Sequence, residues 1–304
     1  MAKNKKNKIY KIIYNVLIIF FTLVFIGCSI YLISYFYASK KSENKVEDLR
    51  KLMSNDKTTE VKVASTEEAQ DDEMNYVVVN GQKVQRKFER VYRRNNDFVG
   101  WLKIEGTVID YPVMQTPDNE EFYIDKDFDK KHSSAGTLFI DAYSNLEEHN
   151  DNVIVYGHNM KTGKMFHELL EYENEDFYKK HKYIQFNTIF EDATYEVIAA
   201  FRTKIYPKDY DGFKYYKFYV ANTELEFDNY VNCCKSLTSY PIEPNAKYGD
   251  DLITLSTCAY HDDNGRFVVV AKKLTDEAEI QNDESSENES DDNSNKDKTI
   301  SKTK

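Results

Sequence analysis

The 304 residues carry 41% hydrophobic side chains, enough to bury one sizeable domain with appendages. A formal net charge of -11, with no basic stripe along the chain, argues against nucleic acid as a partner. Four Cys without a CxxC pair exclude a disulfide framework and the usual zinc spacing, and neither a metal nor a cofactor is expected.

The chain opens with a basic tail, residues 1–11 (MAKNKKNKIYK), which holds five Lys and no acid. Residues 12–37 follow without one charged side chain. A bilayer's hydrocarbon is crossed by a helix of about 20 residues, so this run predicts a transmembrane helix. A cleaved signal peptide would show an apolar region of about 7–15 residues ending in small side chains, so the run reads as an uncleaved signal anchor. The Lys cluster predicts a cytoplasmic N-terminus and places everything after the span outside the cell. Residues 38–75 are polar and charged and read as a juxtamembrane linker.

The folded domain is expected over residues 76–275. A strand-like YVVV meets the turn pair Asn80-Gly81. Val84, Phe88, Val91 and Tyr92 then recur at helical spacing, predicting an amphipathic helix over about 84–97. WLKIEGTVIDYPVM reads as two strands joined at Glu105-Gly106, and GTLFIDA (136–142) as another strand. In NVIVYGHNM (152–160) a strand runs out just before Gly157 and His158. MFHELLEYENEDFYKKH predicts a helix with Phe166, Leu169, Leu170 and Phe177 on one side. Strand-like runs follow at 183–190 and 193–203. A long excursion, 206–249, contains a predicted helix with Leu225, Tyr230, Val231, Cys234 and Leu237 as its apolar stripe; adjacent Cys233 and Cys234 read as packing residues. LITLSTCAYHDDNGRFVVVAKK (252–273) is strand, polar loop and strand, turning at Asn264-Gly265. From Asp276 the chain carries ten acids and four Lys and almost nothing apolar, so residues 276–304 are expected to be a disordered acidic tail. Eight or more strands without βαβ alternation predict a mainly β fold, a mostly antiparallel barrel or sandwich with peripheral helices.

Cys258 closes the first strand of the last hairpin and Arg266 opens the second. If those strands pair, thiol and guanidinium face each other, and a nearby positive charge favours the reactive thiolate. A free cysteine is more often a small buried hydrophobe, but strand alternation puts Thr254, Ser256 and Cys258 on the face opposite Ile253 and Leu255, beside a polar loop. A thiol nucleophile needs a base. Of the six His, four (His132, His149, His167, His181) fall in charged loops or helices and read as solvated. His158 leaves a strand as Cys258 does; His261, three residues after the cysteine, stays open as a second candidate.

TLSTC, with Arg266 eight residues on and a VVVA strand, together with VIVYGHNM upstream, resembles a sortase over roughly residues 76–274. The helices expected near 84–97, directly after His158 and inside the long excursion are similar to class B. The resemblance implies an eight-stranded closed β-barrel behind one transmembrane helix, and a membrane-anchored cysteine transpeptidase. It implies Cys258 as nucleophile, His158 as acid and base, and Arg266 as the group that holds substrate and stabilises the oxyanion. Ser256 and Thr257 would contribute to substrate binding. Implied partners are secreted proteins with a C-terminal Pro-x-Thr (NPxTN-like) sorting signal, and a peptidoglycan peptide or pilin amine as acceptor. A surface cysteine peptidase would share Cys and His but complete its site with Asn or Asp. An inactive surface scaffold is the remaining alternative.

Overall fold

The computed structural model describes residues 2–54, 75–119, 121–147, 150–259 and 262–275. They belong to two compact units, Met1–Lys51 and Leu52–Lys304. The first consists of helix α1 (Ala2–Ser54) up to Lys51. Its stretch Ile13–Ser34 is 22 residues long, apolar enough to cross a membrane, and not buried within the chain. Two of its hydroxyls are satisfied one turn back, Thr22 Oγ1 donating to Ile18 O and Ser29 Oγ to Phe25 O, both at 2.8 Å. Such back-bonding lets a hydroxyl sit in an apolar medium. Helical backbone continues past Tyr37 into the charged residues, where Lys40–Glu43 and Arg50–Glu47 pair at i,i+3. Residues 55–74 of the expected linker, the expected acidic tail 276–304, and His149 and His261 lie outside the described residues.

The second unit begins with a hairpin, β1 (Tyr76–Val79) and β2 (Gln82–Gln85). Asn80 and Gly81 both take positive φ at its turn, 52° and 86°, the geometry that matches the twist of the flanking strands. The amphipathic helix expected over 84–97 is shorter: a 3-10 turn (Arg86–Phe88) leads into α2 (Glu89–Arg94). Val84 belongs to β2, yet Val84, Phe88, Val91 and Tyr92 are all buried, so the apolar positions are right and one of their causes is a strand.

Eight further strands close into a barrel: β3 (Phe98–Lys103), β4 (Asp110–Met114), β5 (Leu138–Ile140), β6 (Asn152–Tyr156), β7 (Tyr183–Thr188), β8 (Thr194–Lys204), β9 (Leu252–Cys258) and β10 (Gly265–Lys273). Their order around the ring is β10-β8-β7-β3-β4-β5-β6-β9. All pairs are antiparallel except β4–β5 and β6–β9. Period-two alternation splits β9 and β10 between two apolar clusters. Ile253, Leu255, Phe267 and Val269 join Leu102, Val113, Val153 and Phe186 in one. Leu252, Val268 and Val270 pack with α4 (Glu224–Leu237) on the other side.

Two helical readings change. The buried face of α4 is Phe227, Tyr230, Val231 and Cys234, an i, i+3, i+4, i+7 set; Leu225 and Leu237, placed on the stripe by the sequence, are 69% and 45% exposed at its ends. The helix expected over 165–181 is a 3-10 segment (His167–Glu173) followed by α3 (Glu175–Lys180). Asn174 interrupts it: its extended backbone lets the side chain cap α3 by accepting from Asp176 N at 2.9 Å.

Candidate active site

The site lies where β6, β9 and β10 end together. In the β9–β10 register Cys258 stands opposite Arg266, and Ser256 opposite Val268. In the parallel β6–β9 register Tyr156 stands opposite Ser256. His158 lies two residues beyond Tyr156. Neighbouring strands thus bring together three residues spread over more than a hundred positions of sequence. His261, the second histidine candidate, falls outside the described residues.

All three residues line one cleft of about 350 Å³, with Ser256, Thr257, Gly157, Tyr156, Phe139, Ile124, Asp141 and Tyr219 among the other walls. Cys258, His158 and Arg266 are each partly exposed there. His158 Nε2 is 2.7 Å from the Ile124 carbonyl. A carbonyl only accepts, so Nε2 carries a proton and Nδ1 is the nitrogen left for exchange. Arg266 is tethered by its own turn, Nη1 donating to Gly265 O at 3.0 Å and Asn264 O at 3.3 Å.

A Cβ at Gly157 would collide with Leu138 and Phe166. The strand therefore passes tightly against the segment that follows His158, and only a residue without a side chain fits.

Ser256 and Thr257 are buried and line the cleft, and both hydroxyls are engaged within the protein. Thr257 Oγ1 donates to Gly157 O at 2.7 Å, and Ser256 Oγ shares a 2.7 Å hydrogen bond with the Tyr215 hydroxyl. Burial pushes the Tyr215 phenol up to about 12, although Ser256 and the Arg266 charge pull it the other way. Tyr215 therefore keeps its proton to higher pH than a free phenol. Further back, Thr254 Oγ1 donates to Asn152 Oδ1 (2.8 Å) and pairs with the Tyr230 hydroxyl (3.1 Å). Tyr230 was expected as a packing residue of the excursion helix, and it is one, but its contact with Thr254 was not expected; neither was Tyr215, from the same excursion, nor Asn159, whose amide reaches Cys258 O at 3.0 Å. Only the adjacency of Asn159 to His158 could have pointed to one of them.

A family model for the sortase domain matches residues 102–274. Sortase B of Staphylococcus aureus is 34% identical over 191 residues, covering 62% of this chain and 75% of that protein. Sortase B of Listeria monocytogenes is 33% identical over 204 residues, covering 65% and 77%. Among solved structures, a Staphylococcus aureus sortase B–substrate complex superposes with a TM-score of 0.63 at 27% identity, over 78% of this chain and 98% of that one. The model match spans more than half of the sequence and both relatives carry the same name, so this chain belongs to the sortase family, on the sortase B side, and is a cysteine transpeptidase.

Proposed function

We propose that this chain is a membrane-anchored class B sortase that joins secreted proteins carrying a C-terminal Pro-x-Thr (NPxTN-like) signal to an amine of the cell wall or of a pilin. The observation that carries the residue roles is the meeting of β6, β9 and β10, which gives Cys258, His158 and Arg266 one shared cleft. The Cys258 thiol passes its proton to His158 as Sγ attacks the Thr carbonyl of the signal, and the negative charge that develops on the carbonyl oxygen is met by the Arg266 guanidinium. The peptide C–N bond breaks as His158 gives a proton to the leaving amine, leaving a thioester on Cys258. An incoming amine, from a peptidoglycan peptide or a pilin lysine, attacks that thioester. His158 takes its proton and returns it to the departing sulfur, a new amide forms, and the thiol is free again. Nδ1 is the nitrogen for these transfers, since Nε2 is turned to Ile124 O. Ser256 and Thr257 shape the cleft wall beneath the substrate.

The stretch Ile13–Ser34 anchors the chain as a single-pass helix, with the five Lys of the first eleven residues on the cytoplasmic side and the barrel outside. There it meets both secreted substrates and wall amines.

The test uses the full chain in detergent micelles with a fluorogenic sorting peptide, with and without an amine acceptor. Expected is amine-dependent ligated product, lost by about 10³-fold or more in Cys258→Ala. Hydrolysis indifferent to the amine would sink the transfer reading, and a fully active His158→Ala would remove the histidine from its role.

A further inference from the structure

Strand pairing between β6 and β9 ends at Tyr156–Ser256, two residues short of both His158 and Cys258. Three other ties carry the two segments onward in step. Gly157 N donates to Ser256 O at 3.2 Å, Thr257 Oγ1 to Gly157 O at 2.7 Å, and Asn159 Nδ2 to the Cys258 carbonyl at 3.0 Å. In the last of these a side-chain amide stands where a longer strand would have offered a backbone N–H.

Asn159 is buried, and its Oδ1 lies 2.7 Å from His167 Nδ1. The chemistry fixes every orientation along this line. The Cys258 carbonyl can only accept, so the Asn159 atom facing it is the NH₂ group. The other atom is then an oxygen, which also only accepts, so His167 presents a protonated Nδ1 to it. His167, which the sequence placed among solvated histidines, is thus the end of a relay that reaches the backbone of Cys258. The loop between is clamped as well: Phe166 N donates to His158 O at 2.9 Å, and Asn159 and Met165 form an antiparallel bridge.

We infer that Asn159 and His167 are positioning residues for the transpeptidation assigned above, a reading on which this inference rests. Together they hold the peptide bearing the imidazole against the peptide bearing the thiol where strand pairing has stopped. His167 acts through Asn159, and Asn159 acts through the backbone of Cys258; neither donates to the reacting atoms. A misplacement of about 1 Å at a reacting group costs on the order of 10²-fold in rate, so a relay of this kind shows in kcat more than in substrate affinity.

The experiment measures kcat and KM separately on the full chain in detergent micelles, with the same peptide and amine, for His167→Leu, His167→Asn and Asn159→Asp. An Asn at 167 places an NH₂ at the position of imidazole Nδ1, whereas Leu offers no donor. Asp at 159 can accept from His167 but gives nothing to the Cys258 carbonyl. Expected for His167→Leu is a kcat about tenfold lower with KM within about twofold, and recovery in His167→Asn to within about threefold of the unaltered chain. Asn159→Asp should fall further, by about 10²-fold in kcat. Should His167→Leu fail to fold, His167→Gln replaces it, since Gln carries its donor one bond too far and is expected below His167→Asn. Equal kcat in the donor-bearing and donor-lacking variants, or KM changing in step with kcat, overturns this inference alone. Absence of any Cys258-dependent turnover in the unaltered chain overturns the proposed function and the inference with it.

Discussion

The two faces of the β9–β10 pair carry opposite chemistry. One face presents Ile253, Leu255, Phe267, Val269 and Ala271, all buried in a single apolar cluster. The other begins apolar, with Leu252, Val268 and Val270 under α4, and becomes polar toward the cleft through Thr254, Ser256 and Cys258. Along that face each hydroxyl has a named partner, Tyr230 and Asn152 for Thr254 and Tyr215 for Ser256. One strand pair therefore does two jobs with a period of two residues. Burial on one side stabilises the ring, and a chain of satisfied polar groups on the other leads to the nucleophile without leaving an unpaired donor behind it.

This division can be broken by substitution. The largest effect on stability is expected from Leu255→Ala on the apolar face, about 2–5 kcal/mol, through lost burial and the cavity left behind. Thermal unfolding should show a melting temperature lower by about 5–15 °C, with kcat per folded molecule little changed. Thr254→Val on the polar face keeps the volume but leaves Asn152 and the Tyr230 hydroxyl short of a partner, and should cost about 1–3 kcal/mol in denaturant titration. Equal costs from these two changes would erase the distinction between the faces.

The smallest effect is expected from Tyr215→Phe, about 1 kcal/mol at neutral pH, read in the same titration. It has a pH signature. The folded phenol titrates at about 12, above the ordinary value of 10, so its contribution is fully present below pH 10 and is lost as pH rises from about 10 to about 12. Stability measured at pH 9 and at pH 11.5 should therefore fall less in Tyr215→Phe than in the unaltered chain. An identical fall in both would show that this phenol is not held protonated by burial.

Much of the barrel's wall was legible in the sequence. Asn264-Gly265 marked the last turn, where Asn264 takes φ 60°, and the β-branched runs on either side fixed the register that sets Cys258 against Arg266. The strand ending before His158 was legible for the same reason. What the residues alone left open is that β6 lies parallel beside β9, because that pairing joins segments about a hundred residues apart and leaves no local periodicity. The family resemblance filled that gap. The helical readings overreached where two causes give one pattern. Val84 is apolar as a strand residue and fits helical spacing by coincidence, while Asn174 breaks a continuous apolar stripe by turning extended and capping the helix that follows. That Tyr215 and Tyr230 meet Ser256 and Thr254 was out of reach, although Tyr230 was expected on a buried helix face, since both arrive from an excursion whose path is set by packing on the barrel.

Closure of the ring also limits how a peptide can be held. Each of the eight barrel strands already has a partner on both sides. An extended peptide therefore finds no open ladder at β9 or β10 on which to lie as an added strand, the means by which many peptide-binding sheets take hold of any backbone regardless of sequence. Recognition has to come from the pocket walls and the few groups at the strand ends. Discrimination among polypeptides then rests on side chains, because one that lacks matching groups has no main-chain pairing on these strands to fall back on.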